Sequence, residues 1–413
     1  MSSHTQPPFV IRHATLINGT GRPPLHDVRV VVDGERIARV GPDAGPVPAG
    51  TVIDASGCFL LPGFFDVHVH FGTEGPDLLA QLQRPASYTV LQAQDRMRRT
   101  LAAGVTTARD LAGIDRGLQM AQREGLVAGP RLQIAVSLLS ITGGHGDPST
   151  PGSALPLGSS SWFEVVNGPA DVLAAVRRVI HAGADVVKVA STGGVLSPHD
   201  DPRHSHFSPE ELSVIAAEAK RQGRRLAAHA QGTEGIKNAV RAGFTSIEHG
   251  IYLDDEAIDL MLAQGTVLVP TLVAPMAVLE AADAGEPVPP WAVAKATMVI
   301  EAHRDSVARA HRAGVKIAMG TDSGVGRHGT NLRELAQLVK VGLTPMEAIR
   351  AGTLGAAELM GLEQELGTVE PGKRADLVLT PVNPLTHIDG LADPNNIHLV
   401  MQDGRLVKEP AGA

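Results

Sequence analysis

Two histidines one residue apart close an apolar run, Phe64-Phe65-Asp66-Val67-His68-Val69-His70. Side chains alternate between the faces of a β-strand, so His68 and His70 point the same way, about 6.6 Å apart along the strand. Neutral imidazole is the commonest protein metal ligand, and two on one face can lean onto one ion. Pro62-Gly63 sets the run off, and its apolar content marks a core strand rather than a solvated one. Four more residues stand at or near the ends of later apolar runs: Lys188 within Asp185-Val-Val-Lys-Val-Ala190, then His229, His249 and Asp322. Singly, His229 and His249 read as satisfied core histidines, and Asp322 as a helix N-cap. Lys188 alone reads as a lysine reaching the rim or pairing with Asp185. Taken together, the imidazoles, amine and carboxylate have one joint use, a metal centre. An ammonium cannot ligate a cation, but burial lowers a lysine's pKa and frees its amine. A free amine can add carbon dioxide to give a carbamate, an anionic two-oxygen ligand able to bridge two metals.

Positioning these residues requires a regular frame. Short buried strands are expected over Phe64–Phe71, Val105–Asp110, Arg131–Ser140, Asp185–Ala190, Arg225–Ala230, Thr245–His249, Val267–Leu272 and Val315–Thr321. Amphipathic helices follow them, many closing at Ala-Gly or Gln-Gly steps. Eight strand–helix units imply a parallel sheet closed into a (β/α)8 TIM barrel, whose active site lies at the C-terminal strand ends. A doubly wound open sheet is the alternative, but no Gly-x-Gly-x-x-Gly opens the first unit. Residues 9–61 read as strands and turns with a hairpin signal at Asp33-Gly34, and Asp403-Gly404 repeats the signal near the other end. Both chain ends are therefore expected to join one small β-sandwich. The expected domains are 1–61 (N-terminal part of the sandwich), 62–362 (barrel) and 363–413 (C-terminal part). Helices are expected over Asn331–Val341 and Thr344–Met360, and strand-like alternation over Leu366–Thr380 and Ile397–Lys408.

Composition narrows the function classes. The 413 residues are 43% hydrophobic but only 3% aromatic, so a large core must be aliphatic. The net charge of −8 argues against nucleic acid as a partner. A single cysteine, Cys58, excludes an internal disulfide and a thiolate metal cluster. Met1 to Pro8 shows no secretory signal, and no apolar run reaches membrane-spanning length. The expectation is a cytoplasmic protein acting on a small molecule, without nucleic acid or membrane as partner. A homo-oligomer stays open.

The set Asp66-Val-His68-Val-His70, Lys188, His229, Ile247-Glu-His249-Gly and Thr321-Asp322-Ser resembles the amidohydrolase superfamily, binuclear branch with a bridging lysine. The tail, Thr344-Pro-Met-Glu-Ala-Ile-Arg350 and Gly367-Thr-Val-Glu-Pro-Gly-Lys-Arg-Ala-Asp-Leu-Val-Leu379, agrees. Val187-Lys-Val-Ala-Ser-Thr-Gly-Gly-Val-Leu196 and Glu248-His-Gly-Ile-Tyr252 are most similar to the imidazolonepropionase-like dipeptidases, which include prolidase-type enzymes and ochratoxin hydrolases. The resemblance implies that His68, His70 and Asp322 hold one divalent metal and His229 and His249 a second. Lys188, carboxylated by carbon dioxide or bicarbonate, would lie between them. Imidazole and carboxylate ligands suit zinc, with manganese, cobalt or iron as alternatives. A hydroxide between the metals would attack a scissile amide carbonyl, and Asp322 would carry the proton to the leaving nitrogen. His145, in Gly143-Gly144-His145-Gly146, and Tyr252 match substrate-contacting positions. His145 would polarise the carbonyl or hold substrate; the Tyr252 hydroxyl would donate to the oxyanion.

Substrates implied by the resemblance are Xaa-Pro dipeptides, N-acyl amino acids and related amides such as ochratoxin. A one-metal imidazolonepropionase or deaminase is the nearest rival. Such deaminases usually carry a glutamate three residues after the strand-five histidine, where this chain has Gly232. A lactone or phosphotriester hydrolase could use the same centre. A catalytically dead structural relative is disfavoured because all six ligands are present. His199, His204 and His206 are expected in a solvated loop, and Arg109-Asp110 as a structural ion pair. Loops 141–168 and 191–207 are expected at the pocket mouth.

Overall fold

The computed structural model of the chain describes residues 7–149 and 162–409. The chain divides into two compact units, one of Met1–Asp66, Arg98–Thr107 and Gly329–Ala413, the other of Val67–Met97 and Ala108–His328. Among the described residues no helix is long and apolar enough to cross a membrane.

In the first unit both chain ends build one sheet of eight strands, mostly antiparallel. Phe59–Pro62 is its seam, running antiparallel to Leu377–Thr380 and parallel to Phe9–Leu16. Alternation along each strand supplies the core: Val28, Val30 and Val32 share it with Ile11, Leu60, Leu377, Leu379, Leu399 and Met401. The expected sandwich therefore takes the form of one continuous sheet with a shared aliphatic core. The Asp403-Gly404 turn has φ of 51° and 72°, the paired left-handed conformation of a type I′ hairpin. In the first hairpin Asp33 pairs with Arg36, so the turn centres on Gly34-Glu35, one residue later than expected. The helix expected over Thr344–Met360 is two, Pro345–Ala351 and Leu354–Met360. It breaks because the Gly352 carbonyl accepts a bond from the Phe65 N–H at 2.8 Å, and Thr353 turns away to φ −130°, ψ −98°. Of the alternation expected over 366–380, only Leu377–Thr380 is a strand.

Most of the (β/α)8 barrel falls in the second unit. Phe64–Val69, Val105–Asp110 and Arg131–Ile134 are neighbours in that order. The third strand is interrupted at Val136, which has φ 66°, and resumes at Leu138–Ser140 beside Val186–Ala190. Val186–Ala190, Arg225–Ala230, Ser246–His249 and Val267–Val269 then pair in parallel. The eighth position, expected as a strand over 315–321, is not a regular strand. Parallel bridges Leu268↔Ile317 and Val69↔Ser323 close the barrel there. Strand seven stops at Val269, before Pro270, which lacks an N–H for a ladder. A helix the sequence does not signal, Val273–Asp283, follows; it is apolar on most sides and so shows no periodic stripe. Elsewhere the local rules hold. Helix Pro209–Arg221 opens with the expected capping box between Ser208 and Glu211.

The two hairpin tips of the sheet meet at Gly404, where an added Cβ would collide with the Gly34 carbonyl oxygen. A Cβ at Gly34 itself would meet nothing within 4 Å. Gly34→Ala should therefore cost only the left-handed backbone term, about 1–2 kcal/mol. Gly404→Ala pays that and the collision, so urea unfolding should show it as clearly the more destabilised. Equal midpoints would contradict this contact.

Candidate metal centre

Four strand ends and the closing segment deliver the site. In the parallel ladder Ala190 pairs with His229, and Ala230 with His249, so successive strand tips lie at one height. The imidazoles of His68 and His70 both reach Asp322, Nε2 to Oδ1, at 3.4 and 3.1 Å. Ring centroids run His70–His68 5.3 Å, His68–His249 5.1 Å and His249–His229 4.6 Å. One ligand atom each from His68, His249 and Asp322 lies within 4.8 Å of the other two, a spacing that could hold a metal ion. The Lys188 side chain is buried within reach of the charges of Glu248 and Asp322, and among the described residues its Nζ has no hydrogen-bond partner.

Burial governs the charge of this cluster. It holds His68 and His229 well below the usual imidazole value and pushes His249 down to about 3. These rings are neutral, the form that ligates metal. Burial opposes ionisation of Asp322, but the rings of His68 and His70 outweigh it and hold the carboxyl well below its usual range. Burial would also lower His70, yet the hydrogen bond and charge of Asp322 raise it. Lys188 is driven by burial from 10.5 to about 8, against the favourable charges of Glu248 and Asp322.

Supporting residues fix each ring. The Nδ1 of His68 pairs with Glu248 Oε2 at 2.9 Å, that of His70 bonds the Ala112 carbonyl at 2.8 Å, and that of His249 bonds the Thr271 hydroxyl at 2.7 Å. His229 Nε2 bonds the Gly193 carbonyl at 3.0 Å. Glu248 is held in turn by Arg109 Nη2 at 2.9 Å and by the Ser246 hydroxyl. The expected Arg109–Asp110 ion pair does not form. Neighbours on a strand face opposite ways, so Arg109 goes to Glu248 while Asp110 accepts from the Phe71 N–H at 2.7 Å. Burial pushes Asp110 up to about 7.

Alternation also explains why Glu248 carries no signal of its own. A strand should send Glu248 and His249 to opposite faces, yet both contact the centre. His249 has φ 72°, and this left-handed turn redirects its side chain. Asp322 and Thr271 share the conformation, each with φ 57°. Such non-glycine residues cost about 1–3 kcal/mol each and gather where function demands a direction.

His145 stacks on His229, with centroids 4.1 Å apart and planes 16° from parallel, and lines the pocket above the centre. Tyr252 does not line it. The tyrosine is half-buried against the cluster of Val195 and Ile251, and its N–H bonds the Gln231 carbonyl at 2.8 Å. Much of the remaining lining is apolar, with Leu138, Trp162, Phe163, Leu196, Val278 and Val325 among it. Both expected mouth loops contribute to it, although 150–161 of the first lie outside the described residues. Gln231 and His303 are buried pocket residues that the sequence leaves unmarked. In loop 191–207, His199 and His204 are exposed as expected, whereas His206 is partly buried and burial lowers it to about 4.

The orphaned amine makes a prediction for the metal-free protein in carbon-dioxide-free buffer. Below pH 8 Lys188 is protonated folded and unfolded, and folding bears the full cost of burying its charge. Between pH 8 and 10.5 the unfolded chain holds a proton that the folded chain has released, so stability rises with pH. Lys188→Met should therefore stabilise by about 3 kcal/mol at pH 7. Urea unfolding should show the gain shrinking as pH approaches 10.5; a gain independent of pH would contradict the burial argument.

The chain is 34% identical to ochratoxinase of Aspergillus niger over 97% of its own length and 87% of that protein's. The solved structure of A. niger ochratoxinase superposes with a TM-score of 0.87 at 31% identity, over 98% of this chain and 97% of the other. A Xaa-Pro dipeptidase solved with methionine in its active site gives 0.89 at 36% identity, over 97% and 99%. The Amidohydrolase family profile matches residues 59–407, and the chain belongs to that family.

Proposed function

We propose that the chain is a two-metal hydrolase of amide bonds in small molecules, with carboxylated Lys188 joining the two metals. The observation that carries this reading is the buried, unpartnered Nζ of Lys188 among neutral imidazoles. A buried ammonium without a partner is costly, and a neutral amine there is poised to react. Its lone pair would bond the carbon of carbon dioxide, and the nitrogen would lose a proton to solvent, leaving a carbamate anion. The donor set fits two cations: His68, His70 and Asp322 for one, His229 and His249 for the other, and the carbamate for both. Zinc suits these ligands. When bound, such metals supply a water-derived nucleophile near neutral pH and polarise a carbonyl.

The chain's own residues would do the rest. Asp322, held ionised between His68 and His70, would accept the proton of the attacking water and pass it to the leaving nitrogen. His145 would contact the substrate from the pocket wall. Tyr252 would donate its hydroxyl to the developing oxyanion. The apolar wall favours a bulky apolar acyl or leaving group, as in aromatic N-acyl amino acids or ochratoxin-like amides; Xaa-Pro dipeptides are smaller members of the same class. The deaminase alternative finds no support at Gly232, where a side chain would run into the backbone of Arg203.

With zinc and bicarbonate, elemental analysis should find two metals per chain. Lys188→Ala should bind fewer and lose activity by orders of magnitude. Full metal content and full activity in that variant would overturn the bridging role. Burying an aromatic group is worth about 1.5–3 kcal/mol, so an N-benzoyl amino acid should exceed its N-acetyl counterpart in kcat/KM by at least about tenfold. Equal values would contradict the apolar wall as a specificity element. Tyr252→Phe should lower turnover by about a hundredfold at full metal content; unchanged turnover would remove Tyr252 from the mechanism.

A further inference from the structure

We propose that Ser197 and Asp200, latched by Lys295, are positioning residues that keep a proton on Nδ1 of His145 and so present its Nε2 to the substrate as a hydrogen-bond acceptor. The word substrate rests on the hydrolase reading above; the proton placement does not.

The latch begins on the long helix Pro290–Ala313. From it the Lys295 ammonium reaches the carbonyls of Gly194, Ser197 and Asp200 at 3.0, 2.6 and 2.5 Å, and Asp200 Oδ1 at 2.9 Å. One cation thus gathers the start of loop 191–207. The Asp200 side chain is only 3% exposed, and its Oδ2 also accepts from the Gly194 N–H at 3.2 Å. A carboxylate beside an ammonium is an acceptor only.

Counting protons then fixes the direction of the chain. The Ser197 hydroxyl lies 2.6 Å from Asp200 Oδ1 and has one hydrogen, which goes to that carboxylate. The Gly194 carbonyl, at 3.4 Å, is a poorer acceptor. Ser197 Oγ is also 2.8 Å from His145 Nδ1. With its own hydrogen committed, the hydroxyl can only accept there, so Nδ1 must donate. A neutral imidazole has one N–H, which leaves the lone pair on Nε2. Nε2 makes no hydrogen bond to any described residue, and the ring lines the pocket. The His229 ring under one face, and Gly194, where a Cβ would strike the imidazole, hold it in place.

An acceptor at that point fits a substrate with an N–H, which a secondary amide has and an N-substituted amide such as an Xaa-Pro bond lacks. Loop 191–207 would thereby set a preference that the metal ligands leave open. This use of His145 also differs from carbonyl polarisation, which needs a donor at Nε2.

The test uses the full, zinc-loaded chain labelled with nitrogen-15 at histidine, the His145 signals being assigned by their loss in His145→Gln. The expected spectrum shows Nδ1 protonated and Nε2 bare; the opposite tautomer overturns the proposal whether or not any amide is hydrolysed. In kinetics, wild type should prefer a secondary amide to its N-methyl analogue. Ser197→Ala should cut that preference about tenfold, mainly through kcat, while Ser197→Thr, which keeps the hydroxyl, restores it. An unchanged preference in Ser197→Ala overturns the role of the relay. A wild type that hydrolyses no amide while showing the expected tautomer would sink the hydrolase reading and leave the relay standing.

Discussion

The buried amine of Lys188, which has no hydrogen-bond partner among the described residues, sits beside four imidazoles and a carboxylate, and the architecture of the site follows from that. Apolar replacement would relieve that unpaired state. Retaining such a residue makes physical sense if the working form of the protein is not the bare amine. On the proposed reading, conversion to an anionic group would turn a costly buried amine into a metal ligand. The neighbours are ready for that exchange: His68, His229 and His249 are kept neutral, and Asp322 is kept charged.

Holding six groups at one point requires support from behind. Arg109 spans the barrel interior from Val67 to Glu248, and Glu248 orients His68. This buried chain of charge and hydrogen bonds reaches His68 through its Nδ1. Left-handed residues at His249, Thr271 and Asp322 store strain at the same rim, and the regular ladder beneath them bears it. The relay from Lys295 through Asp200 and Ser197 does for His145 what Glu248 does for His68, from the loop side of the pocket.

Much of this was legible in the residues themselves. The alternation that puts His68 and His70 on one face, and the placing of Lys188, His229, His249 and Asp322 near strand ends, both depend on strand periodicity. The structure brings all six together, although the eighth strand is reduced to isolated bridges. What the sequence hides has specific causes. Glu248 escapes because a strand pattern cannot foresee the left-handed turn at His249. Arg109 misleads because adjacency in sequence suggests a partner that a strand points away from it. The helix Val273–Asp283 lacks an amphipathic stripe, and the break at Gly352 comes from a carbonyl borrowed by Phe65, a contact distant in sequence. Tyr252, three residues past His249, has its ring packed against the cluster of Val195 and Ile251, a placement that spacing alone does not foresee.

The central claim is most directly tested by a crystal structure of the chain grown with zinc and bicarbonate, with anomalous data collected on both sides of the zinc edge. The account predicts two anomalous peaks, with planar density continuing from Nζ of Lys188 to oxygens between them. A bare lysine amine, with one peak or none beside His68, His70, His229, His249 and Asp322, would contradict it.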